Sequence, residues 1–487
     1  MKGDFTRFGF DSSKHYSRVL QQQGRVALDA DGNEASAIML HHLRMLTKDL
    51  YSSFGGPPDS GFALVPDASS KPWSLRIGPG HYWVNGILVE NEGWVDYAHQ
   101  PDFLLEQPDN AGAGGDPLLR FLQQPSVDVT FWLYLDIWER HVSWVEDDSV
   151  REPALGGPDT CSRAQVVWQV KALPWNVKNW GASDAEGACG AALPDLPGLG
   201  TAQLAARTDP GPAFTDPCII VPGAAYRGAA NQLYRVEVHA GGDATTASFK
   251  WSRENGSVVT RWLGNGSDAA ALLVKSSRGF TSGDWVELTH DALEFAGLPG
   301  TLVKLSVIDG DQLTVDASSG SAPVWSAELS NPRVRRWDQR GNDVLPLREG
   351  AVPIIESTAA AAQWIDLEDG VQIIFEAGRQ YRSGDYWLIP ARVATQGITW
   401  PQEDGLPALQ LAQGAEHAYA PLGVLRFNGQ QIQVLSCRRC AGLGQVTCVL
   451  PPSPIPAADN RVVATRFTTG PKPSLVSSRT VTKRKKP

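Results

Sequence analysis

Carboxylates set along an aromatic stretch are the first residues here whose types and spacing could do chemistry. Asp136-Ile137-Trp138-Glu139-Arg140-His141 is followed by Glu146, Asp147 and Asp148. Two carboxyl groups held several ångströms apart across a sugar can hydrolyse a glycoside. Trp138, Glu139 and Asp147 are the residues that such a carbohydrate contact would use. No spacing identifies which carboxylate would be the acid, so a strand end running into a charged turn is the plainer reading. Cys437-Arg438-Arg439-Cys440, with Cys448 beyond, offers three thiolates where a structural zinc site takes four ligands. Metal binding, disulfides and free thiols all stay open for these three. Cys189 and Cys218 flank a long excursion and could tie it shut, and Cys161 has no evident partner. His41 and His42 fall on a predicted helix, where packing or solvent accounts for them. A Walker loop, a dinucleotide-binding glycine pattern, HExxH and GxSxG are all absent. The expectation is a chain that is not an enzyme, with no catalytic residue, no metal and no cofactor.

The elements that must carry these residues read as mainly β. The expected fold is several small antiparallel β sandwich or barrel modules in series, with an extended N-terminal arm, one short N-terminal helix and a disordered C-terminal tail. Residues 1–60 read as the arm and a helix from about Asn33 to Leu50, with Asp31 and Glu34 as a capping box and Gly55-Gly56-Pro57-Pro58 as its stop. A first β domain follows over 61–175. In it Asn85-Gly86 marks a hairpin, and Val127–Trp138, apolar on both faces, marks a central strand. Residues 176–220 read as a long surface loop. A second β domain, a small barrel or sandwich, is expected over 221–345, with Asn255-Gly256 as a hairpin turn, and a third over 346–445. Residues 446–487 form a basic tail.

Composition agrees with that outline. The 487 residues allow two to four domains. Gly 48 and Pro 34 favour turns over long helices, and Trp 17 supplies large rigid rings for cores or contact surfaces. Eight Lys and Arg against Asp459 give residues 451–487 a charge of +7, so the net −10 leaves −17 on residues 1–450. An acidic body argues against nucleic acid as a partner. Neither a secretory leader nor a run of about 18 apolar residues is evident, so no membrane insertion is expected. The expected location is cytoplasmic synthesis followed by incorporation into a particle that can be released outside the cell.

The opening Lys2-Gly3-Asp4-Phe5-Thr6-Arg7, followed by Lys14-His15-Tyr16-Ser17-Arg18-Val19-Leu20 and Gln23-Gly24-Arg25-Val26 through Asn33-Glu34, resembles a bacterial domain family of unknown function. Its members sit among genes of phage-tail-like contractile injection systems, and the same opening is similar to the N-terminus of some phage tail fibre proteins. The likeness continues through Trp138-Glu139-Arg140-His141, Phe249-Lys250-Trp251-Ser252-Arg253-Glu254-Asn255-Gly256 and Tyr386-Trp387-Leu388-Ile389-Pro390, over about residues 1–440. Where that family reads Asp-Trp-Asn-Glu, this chain has Gly32 in place of the Trp.

The resemblance implies a structural component of such a particle, at the baseplate or as a fibre-like appendage. The residues expected to dock it are Phe5, Phe8, Phe10, Tyr16, Arg25, Asn33 and Glu34. Its partners would be baseplate or tail proteins of the same particle, with a cell-surface glycan and further copies of the chain also open. Two rival readings are a carbohydrate-binding or glycan-cleaving appendage protein and a cargo loaded into the particle.

Overall fold

A computed structural model describes residues 1–57, 59–69, 71–103, 116–126, 129–175, 189, 200–211, 225–266, 268, 270–341, 345–357, 363–427 and 429–440. Most of the 176–220 segment and the whole 446–487 tail, read above as loop and tail, lie outside the described residues. The described chain is mainly β, built from several antiparallel sheets.

The helix α1 spans Asp29–Tyr51, several residues earlier than expected. Its N-cap is Leu28, which makes no side-chain cap bond, so the Asp31–Glu34 capping box is not what starts it. A tertiary contact does so instead: the Asp29 carboxylate accepts from the Thr6 backbone N–H at 2.9 Å and from the Thr6 hydroxyl. Asp29 and Asp31 in the first turn and Lys48 in the last complement the helix dipole. Gly32 therefore sits inside the helix, and a Cβ there would meet nothing within 4 Å. Gly32→Ala is expected to raise unfolding stability by about 0.5–1 kcal/mol, because the site needs no glycine conformation. A denaturant melt that places the variant below the parent contradicts this.

The strands β1 (Gly80–Val84) and β2 (Ile87–Asn91) form the expected hairpin, with Asn85 and Gly86 both at positive φ. A Cβ on Gly86 would lie 2.3 Å from the Arg44 carbonyl, so glycine is what lets this turn pass under α1. The long strand β3 (Thr130–Val142) is central: it pairs with β4 (Arg163–Pro174) on one side and with β16 (Ala418–Phe427) on the other. Phe131, Leu133, Leu135 and Ile137 enter one core with Phe62, Ile77 and Val170.

Two further sheets enclose a second core. One holds β5 (Gln203–Thr208) against β14 (Val371–Glu376). The other holds β6 (Gln232–Ala240) between β7 (Ser248–Ser252) and β15 (Tyr386–Arg392). Tyr234, Val236, Phe249, Phe375 and Trp387 are buried between them. Between β7 and β14 the chain makes a closed barrel of β8 (Val259–Asn265), β9 (Ala271–Val274), β10 (Trp285–Thr289), β11 (Thr301–Asp309), β12 (Gln312–Val315) and β13 (Arg333–Trp337), in the order β8-β9-β12-β11-β10-β13. Closure leaves the barrel no free edge, and Leu272, Val286, Leu288, Val303 and Val334 fill it. A short helix α2 (Asp291–Phe295) follows β10.

Asn255-Gly256 does turn, with both φ positive, but it does not make a hairpin. The strands it joins, β7 and β8, belong to different sheets, so the turn hands the chain from the open sheet to the barrel. Pairings also cross the segments read from the sequence. The strand β16 (Ala418–Phe427), itself paired with β17 (Ile432–Ser436), joins β3, and β15 joins β6. Cys189 is bonded to Cys437, 248 residues away, rather than to Cys218, which lies outside the described residues with Cys448. Cys440 is likewise disulfide-bonded, and Cys161 is free and exposed.

Candidate functional site

The period of two in β6 sends Tyr234, Val236 and Val238 into the core and Arg235, Glu237 and His239 to the opposite face. On the barrel, β10 turns Glu287 outward and β13 turns Arg333 and Arg335 outward, while Val286, Leu288 and Val334 point in. These two polar faces meet, and nearly every charge between them is buried. Lys250 of β7 lies 3.3 Å from Glu237 and 2.5 Å from Glu287, and the Trp337 indole N–H donates to Glu287 at 2.9 Å. Asp291 accepts from Arg333 at 2.7 Å and from Arg140 at 3.0 Å, which ties the end of β3 to the barrel.

The first residues of the chain are threaded into this junction. The Lys2 ammonium reaches Glu237 at 3.1 Å. The Asn255 amide donates to the Gly3 carbonyl at 2.9 Å and to the Met1 carbonyl at 3.3 Å, and Arg235 donates to the latter at 3.2 Å. Arg235 also stacks on the Tyr386 ring, 3.5 Å from its centroid. Glu237 is held well below its ordinary value: burial pushes it up, and the Lys2, Arg235 and Lys250 charges together outweigh that.

A cavity of about 590 Å³ is lined by Met1 and Lys2 and by Asp136, Trp138, Lys171, His417 and Tyr419. Asp136 is buried and bound at 2.7 Å by His417 Nδ1 and at 2.7 Å by the Lys171 ammonium. Burial pushes the Asp136 carboxyl up, and these two partners more than reverse it, so it stays ionised. The His417 ring stacks on Trp138 with centroids 4.7 Å apart.

The sequence-predicted residues separate into different places. Trp138 and Glu139 line the cavity, but Trp138 is only 4% exposed, with His417 on its face and Phe295 meeting it edge to face, so its ring surfaces are occupied by the protein. Glu139 is paired with Arg44 of α1 at 2.8 Å. Asp147 is on the surface, where its carboxylate accepts from the Ser149 N–H and caps a short turn. Of the arm residues, Phe5 packs edge-on to His141 and Phe8, and Phe10 lies against His41 of α1. The Thr6 carbonyl accepts from Arg392 at 2.7 Å. Residues 1–7 are thus held by the chain's own body, so Phe5, one of the residues expected to dock, is taken up within the molecule. The entropy of holding them is offset by buried ion pairs and ring contacts within one molecule. Tyr16, Arg25 and Asn33 are exposed, and Glu34 is half-buried beside Gly9. Sequence reasoning missed Asn255, Lys250, Tyr386 and His417. The alternation Arg235-Val236-Glu237-Val238-His239 was the available signal for the charged face, but a solvent-facing strand gives the same pattern.

A multi-sheet β protein with its N-terminus threaded into an ion-paired junction is the class that these features define. A family model described as a family of unknown function, DUF6519, matches residues 1–186 and 195–487, and the chain belongs to that family. No curated protein and no solved structure matches the chain.

Proposed function

We propose that this chain is a structural subunit of a larger particle, attached to its neighbours through the stretch that runs from Phe8 to Leu28. The observation that carries this reading is a strap of apolar residues left uncovered between two anchored ends. Residues 1–7 are held by the junction and by Asp29, and α1 is held by the body. Between them Tyr16 is 55% exposed and Val26 82% exposed, and Phe8, Phe10, Leu20 and Leu28 are exposed as well. Anchoring both ends lowers the ordering cost of binding, and buried aromatics at 150–250 Å² each are strong contributors to an interface. The narrower proposal, a baseplate or fibre-like part of a phage-tail-like contractile particle, rests on the sequence resemblance of the opening residues. The Cys189–Cys437 bond suits a chain that ends in oxidising surroundings, as a released particle does.

The test is a paired substitution of two uncovered positions, Tyr16→Glu with Val26→Glu, made in the particle-producing cell. Occupancy on purified particles is expected to fall at least tenfold while the melting temperature of the isolated chain stays unchanged. Normal occupancy of the variant overturns the assignment.

A further inference from the structure

The helix α1 is committed on two opposite sides. Ala30, Ile38 and Thr47 are buried against the body, and Arg44 is fixed there by Glu139. Met39, Leu43, Leu46 and Leu50 face away from it and are 73%, 52%, 58% and 67% exposed. At 100° per residue these four fall within about 60° of one another, opposite Ala30, Glu34 and His41. Their successive spacings of four, three and four are those of alternating d and a positions in a heptad seam. An amphipathic surface helix has one apolar stripe and a polar face toward water. Here the water-facing side is the second stripe.

We propose that α1 associates through Met39, Leu43, Leu46 and Leu50 with the same face of a second copy of this chain. This goes beyond the docking of the strap and does not depend on it. A d/a seam is self-complementary: turned about a two-fold axis it meets its own knobs and holes. The area is also of the right size. Four large apolar side chains, each more than half exposed, form a contiguous patch on the scale of the few hundred Å² that is the most a monomer ordinarily leaves open. Leu40, 40% exposed beside the seam on the same helix, carries the apolar surface further toward the ~800 Å² per partner of a standard interface. The helix is already held by the body, so pairing costs no helix folding, which matters for a seam shorter than an isolated coiled coil requires.

A lipid surface fits less well. Interfacial helices carry a cationic polar face, whereas α1 sets Arg44 and Lys48 against Asp29, Asp31, Glu34 and Asp49, and its other face is taken by the body. Among the described residues no helix is long and apolar enough to cross a membrane.

Light scattering and sedimentation of the full chain at micromolar concentration test this directly. The expected mass is twice that of one chain or more, and Leu43→Glu with Leu46→Glu is expected to weaken association at least tenfold, with circular dichroism and melting temperature unchanged. As a second readout, Leu43→Cys on a Cys161→Ser background is expected to give an oxidised cross-linked pair across the seam. A wild-type chain that stays a monomer overturns the proposal, as does a double-Glu variant that still pairs with full affinity. A monomer that floats with phosphatidylserine-containing vesicles through these four residues also overturns it, in favour of a lipid surface.

Discussion

Glu237→Gln is expected to lower the unfolding free energy by about 3–5 kcal/mol, the cost of removing one partner from a buried ion pair. Three cations converge on this carboxylate: Arg235 at 2.5 Å, Lys2 at 3.1 Å and Lys250 at 3.3 Å. Glutamine keeps the shape and one acceptor but leaves the three cations without their shared anion in a largely buried junction. Its effect is expected to exceed that of Lys2→Met, because Lys2 is one of three cations sharing a single anion. Urea or thermal unfolding of the purified chain measures both. A Glu237→Gln loss below about 1 kcal/mol would show that water enters the junction and screens it.

The second large effect is acid sensitivity. Burial is the main influence on His141 and His239 and pushes them from 6.5 down to about 3 and to about 4. The unfolded chain protonates both near 6.5, so below that pH the unfolded state holds more protons and stability falls as pH falls. Each histidine then costs about 1.4 kcal/mol per pH unit until its folded value is reached. Burial also raises Glu287, but Lys250 and Lys2 outweigh it and bring the carboxyl from 4.5 to about 2, which extends the loss below pH 4.5. All of these contributions are complete above about pH 7. The melting temperature is therefore expected to be level there and to drop steeply toward pH 4.5. Replacing His239 with Gln should flatten part of that slope, because Gln does not titrate. A melting temperature unchanged between neutrality and pH 4.5 would contradict the argument.

Particular residues show how far the sequence could be read. Asn85-Gly86 declared its hairpin because a two-residue turn with both φ positive is a local demand that few residue pairs meet. Val127–Trp138 declared a central strand, because Phe131, Leu133, Leu135 and Ile137 on one face and Trp132, Tyr134 and Trp138 on the other leave neither face to water. Asn255-Gly256 has the same local signature, yet its flanking strands part to different sheets; which strand a turn's neighbours choose is a long-range matter. The start of α1 moved to Asp29 for a related reason: the carboxylate is satisfied by Thr6 rather than by a cap within the helix. Trp138 looked like a contact surface and is a buried ring, because His417, just ahead of β16 and far along the chain, arrives to cover it.

By itself, then, the sequence determined the mainly β character, the hairpin beside α1, the buried central strand and the apolar stock of the N-terminal segment. All of these follow from periodicity and turn chemistry within a few residues. The tertiary structure alone decided that Arg235, Glu237 and His239 face a barrel instead of water, that Cys189 bonds Cys437, and that Lys2 ends in an ionic junction while Met39, Leu43, Leu46 and Leu50 stay uncovered. The physical reason is that alternation specifies two faces but not what covers each one. The covering partners here come from other elements of the chain, in places more than two hundred residues away, and only the closed fold brings them together.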